Sequence, residues 1–145
     1  MSGYHRARFT GRSPPWPKPP FSPARTNRGA PAAIQWLERA LGFRPLMQVP
    51  DGKGGIAHAE MAFESVIVML GSENALMGPV TRQNVYVAIG DPDAHHDRAK
   101  AAGARITMSL RDTDYGSRDY GCEDPEGHRW FFGTYRPGPQ DEAKA

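Results

Sequence analysis

The chain has 145 residues, 39% of them hydrophobic, which suffices for one domain with a real core or for one domain made of two small halves. The longest apolar run, Val66-Ile67-Val68-Met69-Leu70, has strand length and falls far short of the roughly 20 residues of a membrane helix, and the basic amino terminus has no apolar segment behind it to make a secretory signal. The single Cys122 excludes an intramolecular disulfide framework and any zinc site needing two thiolates from this chain, and fits a reducing cytoplasm. The net charge of +2 divides into +6 for residues 1–37 and −4 for the remainder, a pattern that could attract nucleic acid or an anionic surface. A solvated tail is the expected reading, and nucleic acid is not an expected partner.

Residues 1–20 hold Pro14, Pro15, Pro17, Pro19 and Pro20 around Trp16. They cannot form a helix or an inner strand, because proline fixes φ and supplies no N–H. This stretch is expected to be an extended or disordered arm, which Trp16 and Phe21 could pin to a groove. Phe21 to Arg28 is a poor strand, with Pro23 and no apolar alternation, and would suit a sheet edge. From Ala30 to Gly42, Ala33, Ile34, Leu37, Ala40 and Leu41 recur at helical spacing, with Pro31 in the first turn and Gly42 at the carboxyl-terminal cap. Strands are expected at 44–49, 56–63 and 65–70, with a hairpin turn at Asp51-Gly52-Lys53-Gly54-Gly55 and a linker over 71–81.

A second series begins with a strand over 84–89. A helix follows from Pro92 to Ala102, closed by Gly103. Asp91, Asp93 and Asp97 are acids that the helix dipole favours there, and His95 and His96 are expected to face solvent. Further strands are expected at 105–110, 117–123 and 129–135, the last two joined by the turn Asp124-Pro125-Glu126-Gly127. At an offset of 61 residues Pro31 meets Pro92, Ala40 meets Ala101, Gly42 meets Gly103 and Arg44 meets Arg105. The order of elements repeats as well, so the chain is expected to carry two copies of one βαβββ unit.

The stretches Ala32-Ala33-Ile34-Gln35-Trp36-Leu37-Glu38-Arg39-Ala40-Leu41-Gly42-Phe43 and Ile56-Ala57-His58-Ala59-Glu60-Met61 come from the first unit. Asp91-Pro92-Asp93-Ala94-His95, Asp114-Tyr115-Gly116-Ser117-Arg118-Asp119-Tyr120 and Asp124-Pro125-Glu126-Gly127-His128-Arg129-Trp130 come from the second. Together they resemble the glyoxalase/bleomycin-resistance/dioxygenase, or vicinal oxygen chelate, superfamily over residues 29–137. The resemblance implies an α+β fold of two βαβββ modules forming a curved mixed sheet around a cleft, commonly in homodimers. The expected organisation is an arm at 1–20, a domain at 21–137 with modules at about 21–72 and 83–137, and a tail at 138–145. The family's enzymes hold a metal with His, Gln or Glu on the first and last strands of each module. Here those positions fall at Phe131, at Asn84, near Ser22, and on a strand without an acid, so neither metal nor cofactor is expected.

His58 and Glu60 are two apart on a strand and share a face. They could touch a polar group of a ligand, or act as a base and its orienter in a lyase or isomerase; an exposed pair on the outer face is the plain alternative. Trp130 and Phe132 share one face of the last strand and Phe131 lies on the other, so one face should pack under a helix while the other could line a cleft for a flat ligand. Met69, Tyr86, Tyr115 and Tyr120 are further candidates for that lining, each also plausible as a core or rim residue. Nothing in the sequence resembles a nucleophile elbow or a nucleotide-binding glycine loop. The leading expectation is metal-independent binding of a small hydrophobic or aromatic molecule by a cytoplasmic homodimer. The alternative is a glyoxalase-like enzyme using His58 and Glu60.

Overall fold

The computed structural model describes residues 22–64, 66–74 and 78–137. The expected arm, Phe21 and the expected tail lie outside the described residues. Strand β1 (Ala24–Asn27) leads into helix α1 (Ala30–Leu41), then β2 (Arg44–Pro50), β3 (Ile56–Phe63) and β4 (Val66–Ser72). The second series is β5 (Asn84–Ala88), α2 (Pro92–Ala101), β6 (Arg105–Asp112), β7 (Arg118–Glu123) and β8 (Arg129–Gly133). Each module closes its own four-stranded mixed sheet, in the orders β1-β4-β3-β2 and β5-β8-β7-β6. β1 pairs parallel to β4 and β5 parallel to β8, so the repeat seen in the sequence is a repeat of topology. β1 is an edge strand, which is where its missing alternation is tolerated, and Pro23 lies just before it.

Helix α1 ends at Gly42, whose φ of 75° needs a residue without a Cβ; its N–H returns to the carbonyl of Leu37. Helix α2 begins with Asp91 as its cap, the carboxylate accepting from Ala94 N at 3.0 Å. Its start is also tied to the sheet, because Arg118 on β7 donates from Nε and Nη2 to Asp93 at 2.8 and 2.9 Å.

The inner faces of both sheets meet in one hydrophobic cluster together with the helices. Ala59, Met61, Val68 and Leu70 enter it from the first sheet, and Tyr120, Cys122, Trp130 and Phe132 from the second. Rings from different modules touch there: Phe43 and Trp130 lie 5.3 Å apart, as do Phe63 and His95. Arg98 on α2 reaches the end of α1, donating to the carbonyls of Glu38 and Arg39 at 2.9 and 3.2 Å. The opposite face of each sheet therefore lies outside this shared core.

His96, expected in solvent, has a side chain only 14% exposed, edge-on to the Tyr120 ring; His95 departs further from expectation. It is 9% exposed, and its ring hydrogen-bonds the Tyr120 hydroxyl and the Leu41 carbonyl at 2.5 and 2.9 Å. The packing of α2 on α1 turns this side chain inward, whereas the sequence shows only a polar residue near a helix start. No helix among the described residues is long and apolar enough to cross a membrane.

Candidate functional site

Alternation along β3 puts Ala59 and Met61 into the core and leaves His58 and Glu60 on the outer face of the first sheet. Their side chains are 40% and 31% exposed, and His58 Nε2 lies 3.2 Å from Glu60 Oε1. The register sets Met69 and Met47 on either side of Glu60, and Val49 opposite His58. The first open face is thus a polar pair flanked by flexible apolar side chains.

On the second sheet the same rule sorts the aromatic residues of β8. Trp130 and Phe132 are completely buried, with rings stacked 6.2 Å apart, while Phe131 is half-buried on the open face. Tyr86 on β5 is the register partner of Phe131, and Gly121 on β7 is its partner on the other side. A Cβ at Gly121 would come within 3.1 Å of the Phe131 ring, so this glycine is what lets the ring lie flat on the sheet. The hydroxyl of Tyr86 donates to the Tyr135 carbonyl at 2.8 Å, and the Tyr115 and Tyr135 rings meet edge to face at 5.9 Å.

Three expected lining residues are corrected by this geometry. Tyr120, Trp130 and Phe132 have no exposed surface and face the helices, because they fall on the core side of the alternation. A ligand on the open face would meet Phe131 and Tyr86 directly, with Tyr115, 63% exposed, at the rim. Met69 stands with His58 and Glu60 on the other sheet. Among the described residues no hydrogen bond or ring contact joins the two sets.

Sequence reasoning missed a polar cluster beside Phe131. Asp119, on the open face of β7, is 6% exposed and accepts from Ser117 Oγ and from the Tyr115 hydroxyl, the latter at 3.2 Å. Ser117 Oγ in turn accepts from Tyr135 N at 3.0 Å. The only sequence signal was the alternation of Ser117 and Asp119 within a motif otherwise read for its tyrosines. Burial pushes the Tyr86 phenol above its usual range, which keeps it a neutral hydrogen-bonding group.

The described residues do not fit a metal. Phe131 offers no lone pair at the last-strand position. Among the described residues no group of three His, Cys, Asp or Glu side chains converges that could hold an ion. Cys122 is buried, and burial pushes its thiol up to about 12, which leaves it without nucleophilic thiolate character near neutral pH.

Paired βαβββ modules with open sheet faces flanking a shared helical core define the class of fold. Residues 24–132 match the family Glyoxalase/Bleomycin resistance protein/Dioxygenase superfamily, and the chain belongs to that superfamily. Its similarity to an uncharacterised protein of Mycobacterium bovis is 30% identity over 139 residues, covering 88% of this chain and 91% of that one. TioX from Micromonospora sp. ML1 is 34% identical in the structural alignment, with a TM-score of 0.69 over 78% of this chain and 95% of that one. Lactoylglutathione lyase from Agrobacterium tumefaciens shares the fold at 15% identity, with a TM-score of 0.64 over 81% of this chain and 93% of that one.

Proposed function

We propose that this protein binds and sequesters a small hydrophobic or aromatic molecule without a resident metal. The observation that carries the reading is Phe131. Its ring lies on the open face over Gly121 and beside Tyr86, where the family's metal-binding glutamate would fall. An aromatic floor edged by the Tyr115 and Tyr135 rings buries a flat ligand with defined geometry. The two open faces lie outside the common core, so a ligand held between them needs a second copy. In the proposed homodimer, the Phe131 face of one chain covers the His58–Glu60–Met69 face of its partner. A reducing cytoplasm suits the free thiol of Cys122.

A second reading has its own observation. His58 Nε2 stands 3.2 Å from Glu60 Oε1 on a partly exposed face, the arrangement of a general base and the carboxylate that orients it. That pair would serve a lyase or isomerase working on a molecule bound between the two copies.

The test is metal analysis of protein purified without chelators or a metal-affinity step, followed by titration of a library of planar aromatic compounds. Binding is expected from metal-free protein, with affinity falling on Phe131→Ala and little changed on His58→Ala. Stoichiometric nickel, zinc, iron or manganese would overturn the metal-independent reading, and turnover lost on His58→Ala would put the enzyme first.

A further inference from the structure

A pocket of about 440 Å³ lies between the modules on the helix side, walled by β1, the first half of α1, the segment before β5 and the β7–β8 turn. Its floor contains Arg25, a strand residue only 2% exposed. The Arg25 guanidinium lies over the Trp130 ring, with Cζ 4.2 Å from the centroid, and its ionic partner among the described residues is Asp124 Oδ2 at 3.5 Å. None of its three nitrogens has a hydrogen-bond partner among the described residues. A buried guanidinium left in this state is costly, since each unmet N–H forfeits its hydration.

The two acids of the pocket are already engaged. Asp124 accepts from Glu126 N and His128 N at 3.0 Å each, and from Trp130 Nε1 at 3.2 Å. Glu126 accepts from Asn27 Nδ2 at 2.7 Å and from Arg28 N at 2.5 Å. The donors of Arg25 are not engaged, and Arg28 and Arg82 add two more guanidinium groups to the lining. Helix α1 opens on the same pocket at Gly29, with no side-chain cap and no acid in its first turn. Trp36, Leu37 and Val80 make the remaining wall apolar.

We propose that this pocket is a second binding site, for a small organic monocarboxylate, remote from the open sheet faces. The carboxylate sits against Arg25 in the fork geometry that a planar guanidinium offers, with Arg82 as the outer partner. The apolar body of the ligand lies along Trp36, Leu37 and Val80. The lining holds three arginines and two carboxylates, and Arg28 is further paired with Glu73 at 4.0 Å, so the small positive surplus matches a monoanion better than a phosphate dianion. The volume falls within the usual range for small-molecule sites.

The test is calorimetric titration of the full chain with cyclohexanecarboxylate, its neutral isostere cyclohexanecarboxamide, and cyclohexyl phosphate, none of which is a flat ring suited to the Phe131 floor. The carboxylate is expected to bind at least tenfold more tightly than the amide and no less tightly than the phosphate. Arg82→Gln, a surface change that leaves the core intact, should weaken the carboxylate at least fivefold, and Phe131→Ala should leave it unchanged. Equal affinity for acid and amide, or no binding at millimolar concentration, would overturn the proposal. So would a tenfold preference for the phosphate, or a loss on Phe131→Ala with none on Arg82→Gln. Because Phe131 and Arg82 are changed separately, failure here is distinguishable from failure of the open-face reading.

Discussion

The imidazole of His95, on α2, bonds the carbonyl of Leu41, at the end of α1, at 2.9 Å, and so ties the two modules through their helices. A carbonyl only accepts, so Nε2 carries the proton, and Nδ1 accepts from the Tyr120 hydroxyl at 2.5 Å. Burial holds the His95 pKa below its ordinary 6.5, against the Leu41 carbonyl and with help from the nearby Arg98 charge.

That depression has a sign. The unfolded chain takes up a proton near pH 6.5 that the folded chain refuses until lower pH, so stability is full above 6.5 and falls as pH drops from there towards the folded value. His128, buried with a pKa also lowered chiefly by desolvation, contributes in the same direction. Thermal melts between pH 7.5 and 5 should show a falling midpoint, and His95→Gln should start lower but fall less steeply. An unchanged slope in that variant would remove His95 from the account.

Neighbours on β8 should behave oppositely. Trp130→Ala empties a fully buried site that stacks on Phe132 and meets Phe43, and is expected to cost about 3–5 kcal/mol in denaturant unfolding. Phe131→Ala removes a half-buried ring from the open face and is expected to cost less than about 1.5 kcal/mol, while lowering affinity for planar ligands about tenfold. Similar unfolding costs for the two would contradict the assignment of faces.

Gly133, at the end of β8, has no room for a methyl group. A Cβ there would run into the Asp119 carboxylate and come within 2.8 Å of the Tyr86 hydroxyl. Gly133→Ala should therefore destabilise by about 1–3 kcal/mol. Because the displaced groups edge the Phe131 floor, ligand affinity should drop with it. Chemical denaturation and titration of the same sample would read both effects.

Cys122 should be inert in the folded protein. It is fully buried, and a thiol pushed up to about 12 holds almost no thiolate at neutral pH. Ellman's reagent is expected to leave the native protein unlabelled over hours and to titrate one thiol per chain in denaturant. Rapid native labelling would mean that β7 opens far more readily than its packing implies.

The sequence alone determined the order of elements from α1 to β8, the duplication and the resemblance to the family, because these rest on local signals, whereas β1 carries no apolar alternation and was legible only through the resemblance. Helical spacing from Ile34 to Leu41, the left-handed cap at Gly42, the Asp91–Pro92 helix start and the Asp124–Gly127 turn all act within a few residues of themselves. Alternation also fixed that Phe131 opposes Trp130 and Phe132, and that His58 accompanies Glu60. Which face met the core was a tertiary decision, since both faces of β8 are apolar and contacts such as Phe43 on Trp130 and His95 on Phe132, made by other elements, choose between them. The same holds for His95, drawn inward by a carbonyl 54 residues away in sequence, and for Arg25, set over Trp130 by the docking of one module on the other. Contacts between residues so far apart depend on how whole elements pack, and no local pattern encodes them.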